Sequence, residues 1–149
     1  MESQSGMEEP TRKLGFVCVQ NAGRSQMSAA FAERERDERT LGDHVAVVTG
    51  GTHPADSVHD EVVAVMDEVG IDVSNRTPRE VSTETLESCD VVATMGCSTL
   101  ELDAERVEIR DWNLDDPHGQ DIERVREIRD EVETRVQDLF DEFVDDTEY

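Results

Sequence analysis

The sequence predicts an α/β fold built on one parallel sheet. Short apolar runs rich in β-branched residues recur along the chain, and segments with helical periodicity separate them. Strands joined through helices make right-handed β-α-β units, which require parallel strands. A length of 149 residues suits one domain with a sizeable core. The reading is a mobile acidic tail over residues 1–11 followed by a single domain over 12–149.

The elements follow in order. Lys13 to Val19 reads as a strand buried on both faces. Arg24 to about Arg39 reads as a helix with Met27, Ala30, Phe31 and Arg34 on one face. Val45 to Thr49 is the second strand, and residues 50–56 form a loop. Asp56 or Ser57 is placed to cap a second helix, whose stripe is Val58, Val62, Val65, Met66 and Val69. Gly70 ends it. Val81 to Glu87 suggests a short helix. Asp90 to Met95 is the third strand, and Val107 to Ile109 a fourth, an edge strand by its charge. Asp111 to Asp121 is a loop, within which Trp112 is an anchor. The last helix carries an apolar stripe at Ile122, Val125, Ile128, Val132, Val136, Leu139 and Phe143,.

Composition excludes several classes of function. The formal charge is −23, and one lysine, Lys13, stands against thirteen arginines. That charge opposes nucleic acid and anionic membranes as partners. An acidic, lysine-poor surface over a patterned core fits a halophilic setting, where salt screens self-repulsion. No apolar run reaches membrane-spanning length, and the polar start lacks a secretory pattern. Three cysteines at uneven spacing make neither a disulfide framework nor a zinc site. The expected compartment is the cytoplasm, where thiols stay reduced.

Chemistry concentrates where the first strand meets the first helix. Cys18-Val19-Gln20-Asn21-Ala22-Gly23-Arg24-Ser25 places a nucleophile and an arginine around a short arc. The amides of such an arc can converge on one tetrahedral anion, helped by the helix N-terminus. The same donors favour the Cys18 thiolate, and Arg24 adds a planar fork for two oxygens. Gly23 tolerates the positive φ that an arc demands, and Asn21 can also visit it. Ser25 can donate to the sulfur or cap the helix. Residues 19–25 are thus the expected oxyanion site, at the C-terminal end of a strand, where ligands of parallel sheets bind.

Two further elements bear on that site. Asp116-Pro117 lies in the loop after strand four, on the same side of the sheet if that strand is parallel. The dipeptide is a common turn signal, but beside the cysteine loop Asp116 becomes a candidate general acid. Cys97 follows strand three. If strands one and three are neighbours, Cys97 and Cys18 share one end of the sheet within disulfide reach; the other reading is a small residue in a tight turn. Cys89 precedes strand three, at the far end, and reads as structural. His53 and His59 lack metal-ligand spacing and read as solvated, so no metal is expected.

Cys18-x5-Arg24-Ser25-Gln26-Met27 with Asp116-Pro117 resembles the low-molecular-weight phosphotyrosine protein phosphatase superfamily, and more closely its arsenate reductases. Residues 50–56, Gly70 to Ser74, and Met95-Gly96-Cys97 extend the likeness. The resemblance implies a phosphatase-I-like, three-layer fold whose four-stranded sheet has order 2-1-3-4. It implies Cys18 as nucleophile, Arg24 as oxyanion ligand, Asp116 as general acid, Asn21 as shaper of the loop and Ser25 as stabiliser of the thiolate. Gln26 and His118-Gly119, where phosphatases usually carry proline and aromatic residues, favour arsenate reduction. The implied substrate is arsenate or a phosphate-type oxyanion. No bound cofactor is implied, and the reductant is an external thiol: thioredoxin, glutaredoxin or a low-molecular-weight thiol. Thioredoxin-coupled relatives carry two cysteines after strand three, whereas this chain has Cys97 alone. Either Cys97 closes a disulfide with Cys18, or an external thiol resolves the adduct. The alternatives are a phosphatase that hydrolyses phosphomonoesters through a phosphocysteine, and a non-catalytic oxyanion sensor.

Overall fold

A computed structural model places four parallel strands side by side in the order β2-β1-β3-β4. It describes residues 12–41, 44–96, 102, 105 and 107–147, with side chains through residue 142. The expected tail and Cys97 lie outside the described residues. The elements are β1 (Arg12–Cys18), α1 (Arg24–Glu38), β2 (Val45–Gly51), α2 (Asp60–Asp67), α3 (Thr83–Glu87), β3 (Val91–Met95), β4 (Glu108–Asp111) and α4 (Ile122–Thr147).

The period-two pattern of β1 explains the layers. Leu14, Phe16 and Cys18 face a large core shared with α1, α2 and α4. Val17 faces a smaller cluster with Leu86 of α3, Cys89, Val92 and Val107. Gly15 is required on that second face, because a Cβ there would stand 3.2 Å from Cys89 Sγ. The sheet is therefore covered on both sides, as an all-parallel sheet must be.

Several boundaries differ from those expected. β1 ends at Cys18, so Val19 already belongs to the following loop. β2 runs on through Gly50 and Gly51, which pair with Val17 and Cys18. The first two turns of α1 are buried almost all round, from Ser25 to Ala32. Ser28, Ala29, Ala30 and Ala32 are small enough for both the sheet and α4 to approach. α2 starts at Asp60 with His59 at its N-cap, not at Asp56 or Ser57, because residues 52–59 are engaged elsewhere. β4 begins one residue late, since Val107 is drawn into the smaller cluster. On α4, Phe140 joins the buried stripe, whereas Ile122 at the helix start is 38% exposed.

The acidic surface is held by arginine forks. Arg34 pairs with Glu133, Arg39 with Asp141, Arg110 with Glu142, and Arg126 and Arg129 with Glu68. Two of these bind a carboxylate at two points, Arg110 on Glu142 and Arg126 on Glu68, which the planar guanidinium suits.

Candidate functional site

The loop after β1 is shaped from outside by a second segment. Five of its carbonyls are occupied. Cys18 O accepts from Thr52 N (3.2 Å), Val19 O from His53 N (2.7 Å), Gln20 O from Ala55 N (2.9 Å), Ala22 O from His59 N (3.0 Å) and Gly23 O from Met27 N (2.9 Å). In a planar trans peptide the N–H points opposite to the preceding carbonyl. Binding four of these carbonyls to residues 52–59 therefore turns the amides of Val19, Gln20, Asn21 and Gly23 away from that segment, toward the inside of the arc. Asn21 N shows the result, donating to Cys18 Sγ at 3.2 Å. Gly23 provides no side-chain cap for α1, so the leading N–H groups of that helix add to the same concave surface.

Asn21 is the hub behind the arc. It holds the left-handed conformation, φ 52°, that the sequence had offered first to Gly23. Gly23 instead sits at φ −139°. Its lack of a side chain matters for a different reason: a Cβ there would meet Pro117 Cγ at 2.9 Å. Asn21 Nδ2 donates to Ser25 Oγ (2.7 Å) and to Thr49 Oγ1 (3.0 Å). Its Oδ1 accepts from Gln26 Nε2 and from Arg79 N, both at 3.0 Å. Ser25 Oγ lies 2.9 Å from Cys18 Sγ. Because that hydroxyl already accepts from Asn21, its own proton is free to go to sulfur. The buried sulfur thus receives two donors, an arrangement suited to a thiolate.

Arg24 and Asp116 come together on the other side of the arc. The Arg24 side chain is only 11% exposed, and its Nη2 lies 3.8 Å from Asp116 Oδ2. Nη1 donates to Leu114 O at 3.0 Å. A Cβ on Gly96 would stand 2.9 Å from that nitrogen, so Gly96 makes room for the guanidinium. Gly96 follows Met95, which pairs with Cys18 across β1 and β3. Asp116 Oδ1 accepts from His118 N at 3.0 Å, which fixes the turn that carries the carboxylate. The loop itself is anchored by Trp112, 6% exposed, whose ring tilts against Phe16 at 5.8 Å.

Two histidines flank this assembly. The rings of His59 and His118 are stacked with centroids 4.3 Å apart, and His59 Nε2 lies 3.1 Å from Gln20 Oε1. His59 stands at the helix start as expected, at the N-cap of α2, but half-buried and not fully solvated. Burial, and then the neighbouring His118, hold it below the usual histidine range. His53 touches Thr52 Oγ1. Among the described residues, no group of three or more His, Cys, Asp or Glu side chains could hold a metal ion. Cys89 is buried in the smaller cluster, where burial pushes its thiol up.

Cys18, Arg24, Asn21, Ser25 and Asp116, singled out in the sequence, lie together in the fold. Sequence reasoning missed residues 52–59 as the outer support of the arc, along with Thr49 and Arg79 N as partners of Asn21. The only signal for that support was its length without a helical or strand period, ahead of the α2 stripe. Gln26, a polar residue 2% exposed, was noted for its identity and not for the bond it makes to Asn21.

The family profile of the low molecular weight phosphotyrosine protein phosphatases matches residues 13–148. A protein of Halobacterium salinarum with a provisional arsenate reductase name is 73% identical over 135 residues, covering 91% of this chain and 95% of its own length. A glutaredoxin arsenate reductase of Synechocystis sp. is 37% identical over 132 residues, covering 86% of this chain and 95% of its own. Among solved structures, an arsenate reductase in its phosphate-binding state superposes with a TM-score of 0.75 at 32% identity, covering 88% of this chain and 98% of that one.

Proposed function

The chain belongs to the low molecular weight phosphotyrosine protein phosphatase family, and from that premise we propose that it reduces arsenate to arsenite with electrons from thiols. The observation that carries this reading is the double donation to Cys18 Sγ, from Asn21 N and Ser25 Oγ, inside an arc of inward-turned amides. Similarity to arsenate reductases over most of the chain supports arsenic over a phosphate ester as the reacting centre.

In the proposed cycle arsenate enters the arc, its oxygens taken by the amides of residues 19–25 and by Arg24. The Cys18 thiolate attacks arsenic. The arsenic–oxygen bond opposite breaks, and Asp116 donates a proton so that the oxygen leaves as water. A second thiolate then attacks Cys18 Sγ. The sulfur–arsenic bond breaks with its electron pair staying on arsenic, which falls from As(V) to As(III) and leaves as arsenite. The two sulfurs, each oxidised by one electron, are left as a disulfide.

The second thiol is Cys97 or an external one, and glutaredoxin, thioredoxin or a small thiol then restores Cys18. Cys97 immediately follows Gly96, against which the Arg24 guanidinium lies. The chemistry needs no bound cofactor or metal. It suits the cytoplasm, where thiols stay reduced, and among the described residues no helix is long and apolar enough to cross a membrane.

The test is arsenite production from arsenate with thioredoxin, glutaredoxin and a monothiol side by side, in molar salt, with aryl phosphate hydrolysis measured in parallel. Arsenite with at least one donor, lost in Cys18→Ser, supports the reading. Steady aryl phosphate cleavage with no arsenite from any donor transfers the site to phosphatase chemistry, in which water resolves a phosphocysteine. Tight oxyanion binding with neither activity leaves a sensor.

A further inference from the structure

The acid loop is tied to the anion loop by an aromatic contact that the chemistry above does not use. His59 stands at the N-cap of α2. Its backbone N–H is bonded to Ala22 O and its ring nitrogen to the side chain of Gln20, both in the anion loop. Its ring lies on the ring of His118, centroids 4.3 Å apart and planes 27° from parallel. His118 in turn donates its backbone N–H to the Asp116 carboxylate. A second tie runs alongside, from Gly119 N to Glu61 Oε2 at 3.1 Å. The first turn of α2 thus grips both loops, and Pro117 seats against Gly23 between them.

We propose that the His59–His118 stack is a positioning latch that holds the acid loop against the anion loop and so fixes where Asp116 stands. This inference rests on Asp116 being the general acid. An acid carried on an exposed turn, with its side chain 57% exposed, needs an external hold if its proton is to meet one particular oxygen. Stacked imidazoles supply one while at most one of them is charged. Two imidazolium rings at this separation repel each other.

The charged groups around the pair set the balance. Around His59, Glu61 and Asp60 of α2 and Asp116 of the acid loop favour a proton on its ring; Arg24 of α1 stands beyond Asp116, and Gln20 is neutral. Burial and the other ring oppose protonation of His59, and they prevail. The latch is closed while at most one ring is charged and loosens when both are.

The experiment is a double-mutant cycle on arsenate reduction, with pH profiles. His118→Ala should lower kcat by roughly 10-fold with KM for arsenate changed less than about twofold. In an Asp116→Asn background the same change should cost less than about twofold, because the group it positions no longer acts. His118→Phe keeps a ring that can stack but cannot titrate. It should recover most of the lost kcat and move the acid-side fall of the profile to lower pH. In the NMR titration of His118→Phe, the His59 ring should titrate higher than in the parent protein. An equal cost of His118→Ala in both backgrounds overturns the latch, as does an unmoved acid limb in His118→Phe. If Asp116→Asn by itself leaves kcat intact, the acid assignment fails first and the latch falls with it.

Discussion

Replacing Gly51 with alanine tests how the arc is shaped. Gly51 ends β2 opposite Cys18, and a Cβ there would lie 2.5 Å from Val19 O and 2.9 Å from Asn21 N. Both neighbours are backbone, so no side chain can swing aside. Ordinary contact begins near 3.4 Å, so the Val19 carbonyl must retreat by roughly 0.9 Å, the difference of 3.4 and 2.5. Forced overpacking of this kind costs about 1–3 kcal/mol, or roughly 2–12 °C in Tm for a chain of this size. The retreat also drags the inward amides, and a displacement near 1 Å at a reacting centre costs about 100-fold in rate. Gly70→Ala is the control: at φ +82° with open space around its Cβ position, it costs about 1 kcal/mol of stability through strain alone. Thermal melts and arsenite production should therefore separate the two, both variants losing stability and Gly51→Ala alone losing turnover. Equal turnover in the two variants refutes the claim that contact between β2 and the loop sets the arc.

Asn21→Ala removes the hub that bonds Ser25, Thr49, Gln26 and Arg79 N; kcat/KM should fall by about 100-fold, from roughly 3 kcal/mol of lost charge-assisted and buried hydrogen bonding, with steady-state kinetics as the check. Cys97→Ser should slow multi-turnover arsenite production under a dithiol donor while sparing aryl phosphate cleavage, if Cys97 resolves the adduct; unchanged reduction with a small thiol assigns that step to an external thiol. Phe140 is fully buried, so Phe140→Ala should cost about 3–5 kcal/mol in urea unfolding. Burial raises the Cys89 thiol in the folded chain, so its contribution to stability is present below the free-thiol value of about 8.5 and is lost as pH rises through the higher folded value. The stability difference between the parent and Cys89→Ala should therefore shrink from pH 8 toward pH 10 in denaturant titrations, and a difference that grows with pH contradicts the sign.

How much of this was legible in the sequence follows from where each signal lives. β1, β2 and β3 are local apolar runs, and the spacing from Cys18 to Arg24 is local too, so the sheet and the loop joining these two residues could be read directly. The placement of Asp116 beside Arg24 needed the order of strands, which periodicity alone does not give. The support by residues 52–59 was illegible, because its bonds are backbone to backbone and leave no side-chain pattern. That support also explains the late start of α2: His59 is drawn to Ala22 O before the helix can begin. The positive φ fell to Asn21, where four side-chain hydrogen bonds outweigh the small preference of glycine for that region. Gly23, expected to supply that positive φ, instead provides clearance for Pro117. The stacked histidines were read singly, because nothing in the spacing of His59 and His118 shows that their elements meet.

A thiol count in single turnover tests the account most directly. Reduced protein is mixed with arsenate and one added thiol, arsenite is quantified, and the disulfides are mapped by differential alkylation. The account predicts one arsenite for each pair of thiols oxidised, with Cys18 in the disulfide formed and Cys89 still reduced. Arsenite released while Cys18 stays fully alkylatable, with no mixed disulfide at that residue, would contradict it.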